Sequence, residues 1–131
     1  MADLDGARPA GGDRRRGSRP TAIERGDIRW LTAAAPDKRR PVLVLGRPEV
    51  VRSMIEIPVI PISTRGRGLA WEVPLDERDG LRAPCVLKPE WIRCVHRDRL
   101  GAWIASLSPD RWSEVRRAVL DALGLESAGA Q

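Results

Sequence analysis

The side chain in this sequence best placed for chemistry is Arg40. It ends the basic run Lys38-Arg39-Arg40 and is followed at once by Pro41 and the apolar stretch Val42-Leu43-Val44-Leu45. Proline fixes its own φ and drives the residue before it into an extended conformation. Arg40 is therefore expected at the mouth of a buried strand, as a permanent cation held still beside the core, which suits phosphate chemistry. Other catalytic devices are poorly supplied. The one histidine, His96, stands in an Arg-rich segment far from any nucleophile elbow, so no Ser-His-Asp set is expected. There is no Gly-rich phosphate loop and no dinucleotide fingerprint. The carboxylates are not clustered as a magnesium site requires, and Cys85 and Cys94 lack metal-ligand spacing. An enzyme built on this chain is expected to work without metal or cofactor.

The charge points to a partner class. The net charge is +5, and all but two of the 23 basic residues are arginine. That balance favours a polyanion, nucleic acid above all, although an Arg-rich composition also follows from the base composition of a genome. The two cysteines read as small, partly buried thiols in a reducing compartment. No stretch is long and apolar enough to span a membrane, and no apolar signal-peptide core follows the N-terminal basic residues. The expected location is the cytoplasm.

The elements that must position Arg40 read as short strands. Residues 1–22 are rich in Gly, Pro, Ala, Arg and Asp around Arg14-Arg15-Arg16 and show no apolar periodicity, so they are expected to form a disordered basic leader. A single folded domain is expected over 23–125, with a frayed tail at 126–131. Strands are expected at Asp27–Leu31, Pro41–Leu45 and Ile55–Ile62, with Gly46–Arg52 as a link. Further strands are expected at Leu69–Leu75, Cys85–Lys88, Glu90–Val95 and Gly101–Leu107. Pro58 and Pro61 require the third strand to bend, bulge or lie at an edge. With neither Phe nor Tyr, the five tryptophans fall one to each candidate element, and most are expected in the core. A closing helix is expected from an Ser108 N-cap and Pro109, with Trp112, Val115, Val119, Ala122 and Leu123 on one face and Gly124 as its stop. Many short strands and one terminal helix predict a mainly β domain, a strongly bent sheet with the helix packed on it.

Several segments, in order, carry a family resemblance. They are Arg25-Gly26-Asp27-Ile28, Arg40-Pro41-Val42-Leu43-Val44, Ile60-Pro61-Ile62-Ser63-Thr64, Trp71-Glu72-Val73-Pro74-Leu75, Ile92-Arg93-Cys94-Val95 and Arg99-Leu100-Gly101. On these the chain, from about Arg25 to Leu125, resembles the MazF/PemK (Kid) toxins of bacterial toxin–antitoxin pairs. The resemblance implies the small SH3-like barrel shared by MazF, Kid and CcdB. It also implies a homodimer whose interface forms an RNA groove, and a cognate antitoxin whose disordered C-terminal segment occupies that groove. The implied activity is sequence-selective, metal-independent cleavage of single-stranded RNA, including mRNA, through attack of the 2′-hydroxyl on the adjacent phosphorus.

The resemblance also assigns residues. The family pairs an Arg before the Pro-Val run with a Thr at the end of the third strand; here these are Arg40 and Ser63. Serine keeps the hydroxyl but lacks the β-branch that restricts χ1. Thr64 follows, on the opposite side of an extended chain. Lys38 and Arg39 stand where family members contact RNA. Arg65-Gly66-Arg67-Gly68 reads as a mobile loop whose two cations clamp the RNA backbone, or else as a solvated basic hairpin tip. Trp91 is a candidate for base stacking, or a core or dimer-interface residue. Departures from the family are Ala33-Ala34-Ala35-Pro36-Asp37 in place of Ser-Glu-Gln-Gly-Gly, Ala83-Pro84-Cys85, and Glu90-Trp91. For Arg40 the competing role is a structural ion pair with Asp37 or Asp27. For the whole chain the competing readings are a gyrase poison of the CcdB type and a binding module without catalysis.

Overall fold

The computed structural model describes residues 22–32 and 39–126, and within them the chain forms seven strands and two α-helices. The strands are β1 (Asp27–Thr32), β2 (Arg39–Val44), β3 (Glu56–Ser63), β4 (Val73–Leu75), β5 (Cys85–Leu87), β6 (Arg93–His96) and β7 (Leu100–Ser106). The helices are α1 (Pro48–Ser53) and α2 (Trp112–Ala122). All pairings are antiparallel, in the order β4-β5-β3-β2-β1-β7, with β6 also on β3. The expected mainly β domain with a C-terminal helix is what forms. The leader and the tail, apart from Ala22 and Glu126, lie outside the described residues, as does Lys38. No helix among the described residues is long and apolar enough to cross a membrane.

The two prolines of β3 set the curvature. The Pro58 carbonyl accepts the Leu45 N–H at 2.9 Å, whereas the Pro61 carbonyl accepts the Lys88 N–H at 2.9 Å. Successive residues of a strand present their backbone groups to opposite edges, so the Pro61 nitrogen points away from β2. There β3 changes partners. It pairs with β6 through Glu56–Val59 and with β5 through Ile62 and Ser63. The missing N–H of Pro61 thus falls in the gap between two partners. Of the expected alternatives, β3 takes the bend, and it does so in the interior of the sheet.

Alternation then divides the core in two. Ile28, Leu43, Ile60 and Ile62 pack with Leu87, Val115 and Ala118 beneath α2. On the other face Val42, Val44, Ile57 and Val59 pack with Leu31, Val95, Leu100 and Val51. The continuous apolar run of β2 is explained by burial on both faces.

Several expectations need correction. The link after β2 contains α1, with Pro48 in its first turn and Val51, only 1% exposed, filling the second core. Of the alternating run 69–75, only Val73–Leu75 pairs as a strand. The stretch 90–95 begins with a 3-10 turn over Pro89–Trp91, imposed by Pro89, before β6. Ser108 spends its hydroxyl on Asp110 Oδ1 at 2.7 Å, and a 3-10 turn over Pro109–Arg111 precedes α2. Ala118 replaces the exposed Leu123 on the buried face, while Gly124 does end the helix in the left-handed region at φ 71°. None of the five tryptophans is fully buried. Three of them are platforms for cations: Arg25 on Trp112 at 3.8 Å, Arg39 on Trp30 at 4.1 Å and Lys88 on Trp91 at 4.9 Å. Cys85 is buried, whereas Cys94 is exposed.

The Asp79-Gly80 turn packs hard on β7. Gly80 has φ 90°, and a Cβ there would lie 2.5 Å from the Ala105 side chain. Gly80→Ala is expected to destabilise the fold by at least about 1–2 kcal/mol from the left-handed backbone alone, before the clash. An unshifted urea midpoint for the variant would contradict this account of the turn.

Candidate functional site

The β2–β3 ladder aligns Val42 with Pro61, Leu43 with Ile60 and Val44 with Val59. Carried on by two residues, that register sets Arg40 opposite Ser63. Residues directly opposite one another share a face, so both belong to the face that buries Val42, Val44 and Val59, at the end where its apolar layer stops. The recorded ladder ends at Val42 because the next residue, Pro41, has no N–H to give to β3. The pair therefore stands at a seam between strands.

Arg40 is exposed and makes no ion pair among the described residues. Asp27, proposed as a partner for it, is fully buried and belongs to Arg29 instead, whose Nε lies 3.0 Å from Asp27 Oδ2. The other Arg29 nitrogens donate to the carbonyls of Gly101 and Ala22, both at 2.9 Å. The alternative partner, Asp37, lies outside the described residues. Arg39 points to the opposite face and stacks on Trp30, so consecutive arginines have different surroundings.

The Ser63 hydroxyl accepts the Arg65 N–H at 3.0 Å and lies 3.4 Å from the Arg65 carbonyl. This local turn restrains the serine rotamer where a threonine would use its second branch. Thr64 is exposed on the other side of the strand end. One cation not singled out by the sequence joins this face. Arg93 of β6 lies opposite Val59 and is exposed.

The loop 65–68 is held by a carboxylate. Glu72 accepts the Arg67 N–H at 2.9 and 3.1 Å and the Gly68 N–H at 3.1 Å. Gly66 admits the approach, since a Cβ there would lie 3.1 Å from Glu72 Oε1, and Gly68 adopts φ 73°. The backbone of the expected mobile loop is thus anchored, while its two arginine side chains are exposed.

Glu72 in turn forms a very short ion pair with Lys88, whose Nζ also lies 3.0 Å from Glu90 Oε2. Glu90 Oε1 accepts the Trp71 indole N–H at 3.0 Å. Lys88 is 0% exposed and Trp91, above it, 43%, so Trp91 is not a core residue. Burial alone would lower the Lys88 ammonium, but hydrogen bonds to Glu72 and Glu90 outweigh it and hold its pKa above the ordinary lysine value. The Lys88 hydrogen bond, followed by the Arg67 amide, holds the Glu72 carboxyl below the usual range. Sequence reasoning missed this cluster because alternation made Glu72 an outward residue. The available signal was a lysine between Leu87 and Pro89 in a chain that uses arginine at all but two of its basic positions. Among the described residues no group of three or more His, Cys, Asp or Glu is arranged to hold a metal ion.

The model for the PemK-like, MazF-like toxins of type II toxin–antitoxin systems matches residues 24–123. Endoribonuclease MazF3 of Mycobacterium tuberculosis is 34% identical over 99 residues, covering 76% of this chain and 96% of that protein. Among solved structures, the Mycobacterium tuberculosis toxin MazF-mt6 superposes with a TM-score of 0.70 at 33% identity, covering 77% of this chain and 99% of that one. The MazE–MazF structure from Deinococcus radiodurans superposes with a TM-score of 0.67 at 27% identity, covering 80% and 99%.

The lowered pKa of Glu72 gives a signed pH dependence. Its unfolded carboxyl, with an ordinary value of 4.5, takes up a proton before the folded one does. The stabilisation is complete above that value and is lost as pH falls through the folded pKa. Glu72→Gln is expected to flatten the decline in unfolding free energy as the pH falls below about 5. Urea titrations of both proteins across that window check it, and an unchanged slope counts against the assignment.

Proposed function

The chain belongs to the PemK-like, MazF-like family of toxins of type II toxin–antitoxin systems, and from that premise we propose how its endoribonuclease activity works and what it engages. The substrate is single-stranded RNA, including mRNA, cut with sequence preference. RNA carries its own nucleophile. The 2′-oxygen attacks the adjacent phosphorus in line, the bond to the 5′-oxygen breaks, and a 2′,3′-cyclic phosphate and a 5′-hydroxyl result. The proton lost from the 2′-hydroxyl is matched by one gained at the leaving oxygen, so this step consumes no water and requires no metal.

Arg40 and Ser63 are the catalytic residues in this reading. The extra negative charge of the phosphorane collects on the non-bridging oxygens, where a guanidinium donates two parallel hydrogen bonds. The Ser63 hydroxyl supplies a third. Lys38, Arg39, Thr64, Arg65, Arg67 and Trp91 contact the strand, joined by Arg93. Thr64 and Arg39 face away from the pair, so they serve RNA that passes around the strand ends. The reading extends to a homodimer whose interface forms the RNA groove, and to a cognate antitoxin whose C-terminal segment fills that groove. It places the protein in the cytoplasm.

The observation that carries the reading is the register that sets an exposed Arg40, without an ion pair among the described residues, on the same face as Ser63. Arg40→Ala is expected to slow cleavage of single-stranded RNA by about 10²–10³-fold, the loss seen when an oxyanion donor is removed. Arg40→Lys should recover little of it, since an ammonium cannot make the paired contact. Cleavage in excess chelator, with the new ends analysed for cyclic phosphate, tests the rest. Full activity in Arg40→Ala sinks the site, and complete loss of cutting under chelation sinks the metal-free chemistry.

A further inference from the structure

We propose that the buried Lys88–Glu72–Glu90 cluster is a positioning device that sets how tightly the protein grips RNA, with Glu72 as its working end; the proposal rests on the reading of the chain as an RNA-cleaving toxin. Lys88 itself is inaccessible to RNA, at 0% exposure. It acts through what it holds. One ammonium fixes Glu72, whose oxygens take the Arg67 and Gly68 amides, and Glu90, whose other oxygen takes the Trp71 indole. The same ammonium lies under the ring of the exposed Trp91.

Stability alone does not account for such a cluster. Three charges have been taken largely out of water, with side-chain exposures of 0% for Lys88, 6% for Glu72 and 21% for Glu90. Well-packed apolar residues of similar volume often serve a fold as well or better. What an apolar core cannot offer is a carboxylate aimed at the amides of a surface loop. Glu72 holds the backbone of a loop whose arginine side chains project into solvent beside Ser63. A loop already in place binds without the ordering entropy a free one would lose.

A double-mutant cycle between Glu72 and Arg67 tests this. The probe is a fluorescent, mixed-sequence, single-stranded oligonucleotide with 2′-O-methyl groups, which binds but offers no nucleophile. Arg67→Ala is expected to weaken binding about 5-fold in the parent and to lower the salt slope by about 0.7, as for one phosphate contact to a single strand. In the Glu72→Ala background the same change should cost less than about 2-fold. Cleavage of unmodified RNA by Glu72→Ala should show a raised KM with kcat nearly unchanged, a split that general loss of structure does not produce. If Glu72→Ala fails to fold by circular dichroism, Glu72→Gln replaces it in the cycle, keeping the shape while losing the charge that pairs with Lys88. Additive effects overturn the proposal, as does a parent that binds but ignores Arg67→Ala. A parent chain that binds no RNA overturns the functional reading beneath it as well.

Discussion

The change of partner along β3 is the constraint on which this molecule depends. A strand in the middle of a sheet must satisfy two edges, and β3 serves three neighbours by using one edge twice, first for β6 and then for β5. Pro61 sits at the changeover, where an N–H would have had no partner. The bend that results curls the β4–β5 hairpin over one core and leaves β6 over the other. It also puts Ser63, the last residue of β3, at the junction of three strands. The position of Arg40 relative to Ser63 therefore follows from the β2–β3 register continued two residues past its last pair. A slip of one residue would exchange the two faces, undoing both cores and the candidate site together.

The arginines divide by what they touch. Arg29 is buried against Asp27 and two carbonyls, and it ties β1 to the start of β7 and to the segment before β1. Arg111 joins Asp79, Glu114 and the Pro74 carbonyl, fastening α2 to the turn after β4. Arg25 and Arg39 lie on tryptophan rings, where a cation gains from the face of the ring. Arg40 and Arg93 share a face of the sheet with no such duty among the described residues, which leaves their guanidinium groups free to meet phosphate, whereas Arg39 can do so only from its place on the Trp30 ring.

Much of this was legible in the chain because it depends on local rules. The apolar run of β2, the interruption of β3 at Pro58 and Pro61, and the stop at Gly124 follow from proline and glycine geometry and from alternation. Arg40 was legible for the same reason, and Ser63 through the family resemblance. The Lys88 cluster was not, since it joins residues from three separate segments through burial, which alternation cannot express. The helix α1 was missed because one buried residue, Val51, is its only anchor to the core, too little for a periodic signal. The tryptophans were misplaced because in a chain so rich in arginine they serve cations as much as they fill the interior.

The anchoring of the Arg67 and Gly68 amides to Glu72 also limits how relatives of this protein can diverge. A loop can usually be exchanged by cutting at its two ends, but this one has a third attachment, to a carboxylate beyond its own boundary, which is itself held by a lysine on the far arm of the β4–β5 hairpin. Its effective unit of inheritance is a discontinuous set of residues, from 67 and 68 through 72 to 88 and 90. Anyone recombining such chains to alter which RNA is cut must move that set as one module, because a transplanted tip without its carboxylate arrives with no instruction for its own shape.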